Sequence, residues 1–324
     1  MDSIDTVALV GEGTARIEGS RDSLPAVSVI IPTFNRCEVL RFAIQSVCAQ
    51  MFIDWELIVV GDGCTDQSES VVREEANRHG EKNSIRLVSL KQNSGGQAAP
   101  NNAGLAEARA PLVAFLGHDD LWFPWHLEEL VKVCSESGSK RFTHGLSALL
   151  GPNGLRSMYG QPGPGRTYGD IGILPSSGLF PRAALVELGG FDETFQSGSD
   201  VDLIRRALSS GTKIAVSQRV SMLKFPSHWF DMPYTNRGPE PQQTYWRNVV
   251  GNAELVEQEL LQQILLERIQ HDLGLPSLRE GVVFASGSLK HDLGRRLQSV
   301  PVGRSILEKR TALSRAKLRK VRGL

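Results

Sequence analysis

The stretch from Val27 to Leu116 alternates between two hydrophobic patterns, and this alternation limits the folds available to the chain. β-Branched apolar runs, typical of strands buried on both faces, occur at Val27–Ile31, Trp55–Val60, Ile85–Leu90 and Leu112–Leu116. The segments between them have helical spacing, as in Val39–Val47, where apolar residues recur every three or four positions. Four strand–helix units predict an α/β fold with a mostly parallel sheet flanked by helices.

Polar residues follow three of these strands at the point where each strand ends. They are Pro32–Asn35 after the first strand, Asp62 after the second and Asp119–Asp120 after the fourth. Sheets of this class bind ligands outside the carboxyl ends of their strands. Two adjacent carboxylates repel each other unless a cation lies between them, and hard divalent cations prefer oxygen ligands. Asp120 alone is also typical of a helix cap before Pro124, but three converging elements favour a binding site.

The composition excludes several classes of protein. Lys and Arg number 36, as do Asp and Glu, so no net charge attracts nucleic acid. The four cysteines have no Cys-x-x-Cys spacing, which predicts reduced thiols. No apolar run approaches the roughly 18–20 residues that span a bilayer, and the N-terminus lacks the pattern of a signal peptide. The sequence therefore predicts a cytoplasmic location.

The rest of the chain divides into an extension, a domain and a helical region. Residues 1–25 predict an irregular extension; its Gly11 and Gly13 match part of a dinucleotide-binding motif, but Arg16 stands at the third glycine position. Residues 26–235 are expected to form one domain, in which the Gly- and Pro-rich segment 151–177 predicts a surface loop. Two short strands are expected near Lys213–Val216 and Arg219–Leu223.

Residues 236–324 predict a helical C-terminal region with a basic tail. From Val302 onwards the tail carries eight basic residues against the single acid Glu308. Such a segment is typical either of peripheral contact with the anionic inner face of a membrane or of a solvated, partner-binding tail.

Four motifs of the chain resemble those of the family 2 glycosyltransferases. The first is the strand and loop Val27–Arg36, and the second is Glu56–Asp66, with Gly-Asp-Gly-Cys-Thr-Asp at its end. The third, Ala114–Pro124, is similar to the metal-binding motif of the family, and the fourth is Gly189–Glu193 together with Asp200. The order matches over about residues 26 to 230. The resemblance implies a GT-A fold, which is Rossmann-like, and inverting transfer of a sugar from a nucleotide-diphosphate donor to an acceptor hydroxyl.

The resemblance also implies roles in donor binding. Asp62 would accept a hydrogen bond from the base, and Asp119 would support the ribose or the metal shell. The residues expected to line the nucleotide are Pro32, Thr33, Phe34 and Asn35, with Phe34 offering its ring face. The acceptor would be a glycan, a lipid-linked molecule or a small molecule, selected by residues 151–177 and the C-terminal helices.

The metal and the catalytic base are implied in the same way. Asp120 would bind Mn²⁺ or Mg²⁺, and His228 lies where many members place a residue that touches the metal or the diphosphate; a packed turn histidine is the alternative. Asp200 would be the general base, with a helix cap as its alternative role and Asp202 as the alternative base.

The chain departs from the family pattern at three positions. Gly61, Gly117 and Ser199 stand where the family commonly has acids. Two other functions therefore stay open. One is a non-catalytic relative that binds a nucleotide sugar; the other is a nucleotidyltransferase, which is less favoured because the first loop lacks a Gly-rich, basic phosphate-binding sequence.

Overall fold

The computed structural model describes residues 24–79, 84–137, 141–151, 154–160, 174–225 and 239–272. The strands are β1 (Val27–Thr33), β2 (Trp55–Asp62), β3 (Ser84–Leu90), β4 (Leu112–Phe115), β5 (Leu121–Trp122), β6 (Phe142–Gly151), β7 (Gly154–Tyr159), β8 (Gly178–Pro181) and β9 (Ile214–Lys224). The helices are α1 (Cys37–Cys48), α2 (Ser68–His79), α3 (Ala98–Glu107), α4 (His126–Ser137), α5 (Arg182–Glu187), α6 (Ser199–Ser209) and α7 (Glu240–Asp272).

The nine strands form a single sheet in the order β3-β2-β1-β4-β8-β6-β9-β5, with β7 paired to β6. The first four strands in this order are parallel, as the strand–helix alternation predicts. Beyond β4 the sheet is mixed, because β8 pairs antiparallel with both β4 and β6, whereas β6 and β9 are parallel. The predicted α/β class with a mostly parallel sheet flanked by helices is confirmed.

The central strands are buried on both faces, which explains their uninterrupted apolar sequences. In β1 and β2, Val29, Ile31, Leu57 and Val59 pack on the face covered by α1. The alternate residues Ile30, Ile58 and Val60 pack on the opposite face against α3. Because side chains alternate along a strand, a run of β-branched residues serves both layers at once.

A third hydrophobic cluster joins the far side of the sheet to α7. It includes Leu121, Phe123 and Val220 from the sheet side and Trp246 and Leu260 from the helix. The helix is interrupted at Asn252, whose φ of −163° and ψ of 85° are not helical. The side-chain oxygen of Asn252 accepts a hydrogen bond from the Leu255 amide at 3.1 Å, so it caps the second helical stretch.

The compact unit that contains the sheet extends to Ile269, beyond the predicted domain boundary at residue 235. Residues 270–324 form a second unit, of which residues 270–272 are described. Across the described ranges, no helix is both long enough and apolar enough to span a membrane.

Two predictions about secondary structure were wrong. One continuous strand, β9, replaces the two short strands expected near 213–223, since backbone irregularities in its pairing with β6 accommodate the polar residues at its centre. Part of the expected 151–177 loop is strand β7, because residues 154–159 find a partner in β6. Residues 161–173 of that loop lie outside the described residues.

Candidate active site

The carboxyl ends of β2, β1 and β4 lie side by side, and hydrogen bonds connect the loops that follow them. The side-chain oxygen of Asn35 accepts a hydrogen bond from the Thr65 amide at 2.7 Å. Asp66 accepts one from the Cys37 amide at 2.9 Å. After β4, the ring of His118 bonds the Pro32 carbonyl. The sheet therefore brings Pro32–Asn35, Asp62 and Asp119–Asp120 to one edge, as predicted.

Asp120 forms a buried ion pair with a residue that the sequence analysis did not single out. Lys224 Nζ lies 2.8 Å from Asp120 Oδ2, and the Phe225 amide donates to Asp120 Oδ1 at 3.2 Å. The pair follows from strand register, because β5 and β9 are antiparallel with Leu121 opposite Leu223. One residue further along, Asp120 stands opposite Lys224. Opposite charges at facing positions of neighbouring strands attract each other.

Several carboxylates surround the Lys224 ammonium. Burial by itself lowers the pKa of Lys224, but the charges of Asp120 and Asp119, the hydrogen bond to Asp120 and the charge of Asp200 raise it above its ordinary value. Burial raises the pKa of Asp120, and the Lys224 charge opposes that rise. The charge of Asp200 thus acts on the same ammonium as the charge of Asp120.

The described residues do not fit the predicted divalent cation on Asp120. Both oxygens of this carboxylate are engaged, one by an ammonium. At equal distance, the repulsion between that ammonium and an added cation would cancel the attraction of the carboxylate. A side chain at Gly117 could not add a ligand, since its Cβ would lie 2.8 Å from Asp120 Oδ2.

Within the described ranges, no group of three or more His, Cys, Asp and Glu side chains could hold a metal. The predicted ligand His228 lies outside the described residues. The predicted metal role of Asp120 stays a prediction, and the partner of this carboxylate among the described residues is Lys224.

Asp62 holds the loop after β3 in place. Its carboxylate accepts hydrogen bonds from the Ser94 amide at 3.0 Å, the Ser94 hydroxyl at 2.9 Å and Asn93 Nδ2 at 3.0 Å. The residue is 3% exposed. Burial raises the pKa of Asp62, and the bonds from Ser94 counteract that rise. The predicted hydrogen bond from a nucleotide base to Asp62 stays a prediction, while the contacts of its carboxylate assign it to positioning the loop.

The loop after β1 presents one aromatic ring to solvent. Phe34 is 37% exposed and directly follows the buried Thr33, which is 2% exposed. Its ring is therefore available for stacking on a planar ligand. The Thr33 side chain is buried, and its carbonyl accepts a hydrogen bond from the Cys64 thiol at 3.4 Å. The stacking role predicted for Phe34 fits this geometry, but the Thr33 side chain does not line an open surface.

The two candidate bases at the start of α6 differ in their contacts. Asp202 binds Arg206 Nε at 2.7 Å, and this guanidinium also donates to the carbonyls of Leu188 and Gly190. Asp202 therefore orients an arginine that secures the loop after α5. Asp200 is partly exposed and accepts a hydrogen bond from the neighbouring Val201 amide at 2.9 Å. These contacts favour Asp200 over Asp202 as the candidate base, because the Asp202 carboxylate is engaged by Arg206.

The loop Gly189–Glu193 is fixed by Asn102 on α3. Asn102 Nδ2 donates to the Phe191 carbonyl and to Glu193 Oε1, both at 2.8 Å, and Asn102 Oδ1 accepts from the Phe191 amide at 2.8 Å. Gly190 has a φ of 69°, and a Cβ there would lie 2.5 Å from Asn102 Oδ1. The glycine of this motif is thus required by both its backbone conformation and its close contact.

Comparison with protein families finds similarity in the N-terminal part of the chain. Residues 28–140 match the sequence profile described as Glycosyl transferase family 2. An uncharacterized glycosyltransferase of Nostoc sp. is 34% identical over 171 residues, which cover 50% of this chain and 52% of that protein. The poly(ribitol-phosphate) beta-N-acetylglucosaminyltransferase TarP of Staphylococcus aureus is 38% identical over 117 residues. That match covers 35% of this chain and 34% of TarP, so the chain spans about half or less of these relatives.

Comparison with solved structures supports the fold. S. aureus TarS 1–349 in complex with UDP-GlcNAc aligns with a TM-score of 0.53 and 21% identity, covering 85% of this chain and 81% of that chain. The mannosyltransferase PcManGT of Pyrobaculum calidifontis, in complex with GDP-Man and Mn²⁺, aligns with a TM-score of 0.51 and 17% identity. It covers 93% of this chain and 88% of that chain. The fold expected from the resemblance, GT-A, is confirmed.

Proposed function

We propose, from the match of residues 28–140 to the profile of glycosyl transferase family 2, that this protein transfers a sugar from a nucleotide-diphosphate donor to an acceptor hydroxyl. One observation carries the proposal: Asp62 ends β2, Pro32–Asn35 follow β1 and Asp120 with its partner Lys224 follows β4, so these residues lie at the carboxyl ends of neighbouring parallel strands. This is the edge at which sheets of this class bind nucleotides. The relatives TarP and TarS suggest a nucleotide sugar such as UDP-GlcNAc as the donor and a glycoconjugate as the acceptor.

In the proposed mechanism, Asp200 acts as the general base. Its carboxylate accepts the proton of the acceptor hydroxyl while the oxygen forms a bond to the anomeric carbon. The bond from that carbon to the donor phosphate breaks, and its electron pair leaves with the nucleoside diphosphate. A single displacement of this kind inverts the anomeric configuration. General-base assistance contributes roughly 10²–10⁴-fold to such a step.

Other side chains of the proposed site would bind the base or hold the loops in position. Phe34 is placed to stack on the base, since its ring is exposed in the loop beside the site. Asp62 shapes the neighbouring loop through Ser94. Arg206 and Asn102 secure the loop that precedes α6, and thereby the approach to Asp200.

A thermal-shift screen of UDP, GDP, dTDP, ADP and CDP tests the donor-binding part of this proposal. A ligand that binds the folded chain stabilises it by about 2.7 kcal/mol at 100 times its dissociation constant. We expect one nucleotide to raise the melting temperature clearly above the others. Phe34→Ala should reduce that shift, whereas Leu261→Ala, a change of an exposed apolar side chain on α7, should not.

Two results of the screen would count against the proposal. If no nucleoside diphosphate stabilises the chain, donor binding is refuted. If a nucleotide binds but no nucleotide sugar is turned over in the presence of acceptors, the non-catalytic alternative is favoured instead.

A further inference from the structure

We propose that Lys224 is the cation that meets the donor diphosphate, in place of a divalent metal, so that donor binding by this chain does not require a metal ion. The inference rests on the proposed function, because it assigns a role at the same site. It starts from the disagreement between the expected metal ligand Asp120 and the ion pair that this residue forms.

The two side chains of the ion pair differ in their exposure. The Asp120 side chain is completely buried, whereas that of Lys224 is 26% exposed. Asp120 therefore lies behind the ammonium and holds it from the protein side. An ammonium has three N–H donors, and the contact with Asp120 uses one of them. A phosphate oxygen that approaches from solvent would meet the remaining donors of Lys224 before it met the Asp120 carboxylate.

The surroundings of Lys224 fit a diphosphate leaving group. Asp200, the proposed base, is close enough to influence the Lys224 charge, and the base acts beside the anomeric carbon to which the diphosphate is attached. A second cation, Arg36, is near enough to lower the pKa of His118, as Lys224 does. Positive groups fixed where negative charge develops stabilise the departure of a phosphate.

The backbone near Asp120 and Lys224 provides the space and the strand register that the ion pair requires. Gly117 leaves the space that Asp120 Oδ2 fills, since a Cβ there would approach this oxygen to 2.8 Å and Asp119 Oδ1 to 3.2 Å. Lys224 is the last residue of β9, and its position opposite Asp120 is set by the β5–β9 register. The ammonium is therefore held by regular secondary structure on both sides.

The test measures UDP, GDP and dTDP binding to the full chain by calorimetry, once in EDTA and once with Mn²⁺. We expect the wild type to bind its nucleotide in EDTA with an affinity within about threefold of that in Mn²⁺. Lys224→Met should weaken binding in EDTA by roughly 10- to 100-fold, since hydrogen bonds to charged groups are worth about that much. Mn²⁺ should partly restore nucleotide binding by Lys224→Met, because the Asp120 carboxylate has lost its ammonium partner in this variant.

Two further variants keep the result interpretable if Lys224→Met folds poorly. Lys224→Met combined with Asp120→Asn removes both charges, so no buried carboxylate is left unpaired; we expect weak binding that Mn²⁺ does not restore. Lys132→Met removes an exposed lysine of α4 and should bind like the wild type. Circular dichroism establishes that each variant is folded.

The contradicting results are distinct from one another. Wild-type binding that appears with Mn²⁺ and is absent in EDTA overturns the role of Lys224 and leaves the proposed function standing. Unchanged binding by folded Lys224→Met and by the double variant in EDTA does the same. If the wild type binds none of these three nucleotides under either condition, and neither ADP nor CDP stabilises it in the thermal-shift screen, both the inference and the proposed function are overturned.

Discussion

At the residue scale, Gly117 determines the shape of the site by lacking a side chain. Gly117→Ala would place a Cβ 2.8 Å from Asp120 Oδ2, and Lys224 and the Phe225 amide prevent Asp120 from moving away. We expect a loss of about 1–3 kcal/mol in the free energy of unfolding, as for overpacking elsewhere, together with weaker nucleotide binding. Urea denaturation and calorimetry measure the two effects.

Gly61→Ala is the matched control for this prediction. Gly61 also stands at a position where the resemblance predicts an acid, but its Cβ would meet ordinary contacts that begin at 3.6 Å from Cys64 Sγ. Its stability should be unchanged or raised by up to about 1 kcal/mol. Equal losses from the two substitutions would show that the contact with Asp120 is not the cause.

The sequence predicted the acids of the site but not the cation. Asp119 and Asp120 were recognisable because they end a strongly apolar strand. Lys224 lies 104 residues away from Asp120, and its register depends on β5, a two-residue strand too short to detect from a pattern. The prediction of two strands in place of β9 also concealed that Lys224 ends a strand. Partners set by long-range register are not encoded in local periodicity.

At the element scale, the amino-terminal edge of the parallel sheet is held by charges that centre on Glu56. This residue is 1% exposed and accepts hydrogen bonds from Ser28 Oγ at 2.7 Å and from the Arg109 amide at 2.9 Å. Arg109 and Arg86 also pair with its carboxylate at 2.8 and 3.1 Å. The cluster links β1, β2 and β3 with the residue that precedes β4.

The Glu56 cluster predicts a dependence of stability on pH. Burial raises the pKa of Glu56, but the hydrogen bonds from Ser28 and Arg109 and the Arg86 charge outweigh it and lower the pKa below its ordinary value of 4.5. The resulting stabilisation is complete above that ordinary value and is lost as the pH falls through the folded-state pKa. Glu56→Gln should lower the free energy of unfolding by about 2–3 kcal/mol at neutral pH, and by less in acid.

Glu107→Gln is the control for this prediction, since Glu107 also pairs with Arg86 but is 39% exposed. The free energies of unfolding of both variants are compared by urea denaturation between pH 3 and pH 7. This pH range spans the ordinary pKa of a glutamate. A Glu56→Gln deficit that stays constant across the range would contradict the role of its ionised form.

The regular elements were predictable where a single segment carries its own pattern. β1 to β4 and α1 follow from apolar periodicity, and their bounds differ from the expected ones by a few residues. β6 and β7 were not identified, because a mixed sequence of small and polar residues becomes a strand there through its partners. Packing on the rest of the fold overrides local propensity in such segments.

At the scale of the whole molecule, residues that stabilise the parallel half of the sheet and residues of the proposed active site lie at opposite ends of its strands. The amino-terminal edge carries the Glu56 cluster, and the carboxyl edge carries the loops of the proposed active site. The predicted cytoplasmic location and the membrane contact of the basic tail stay predictions, since residues 273–324 lie outside the described part of the chain. The prediction that residues 151–177 and the C-terminal helices select the acceptor concerns segments that the structure describes only in part.

The central claim is that the chain is an inverting glycosyltransferase with Asp200 as its base, and turnover of nucleotide sugars tests it most directly. Release of nucleoside diphosphate from UDP-GlcNAc and related donors, with acceptors present, is compared for the wild type, Asp200→Asn and Asp202→Asn. We predict that Asp200→Asn lowers kcat by roughly 10²–10⁴-fold with nucleotide affinity unchanged, while Asp202→Asn retains turnover close to that of the wild type. Near-normal turnover by Asp200→Asn, or equal losses in the two variants, would contradict the account.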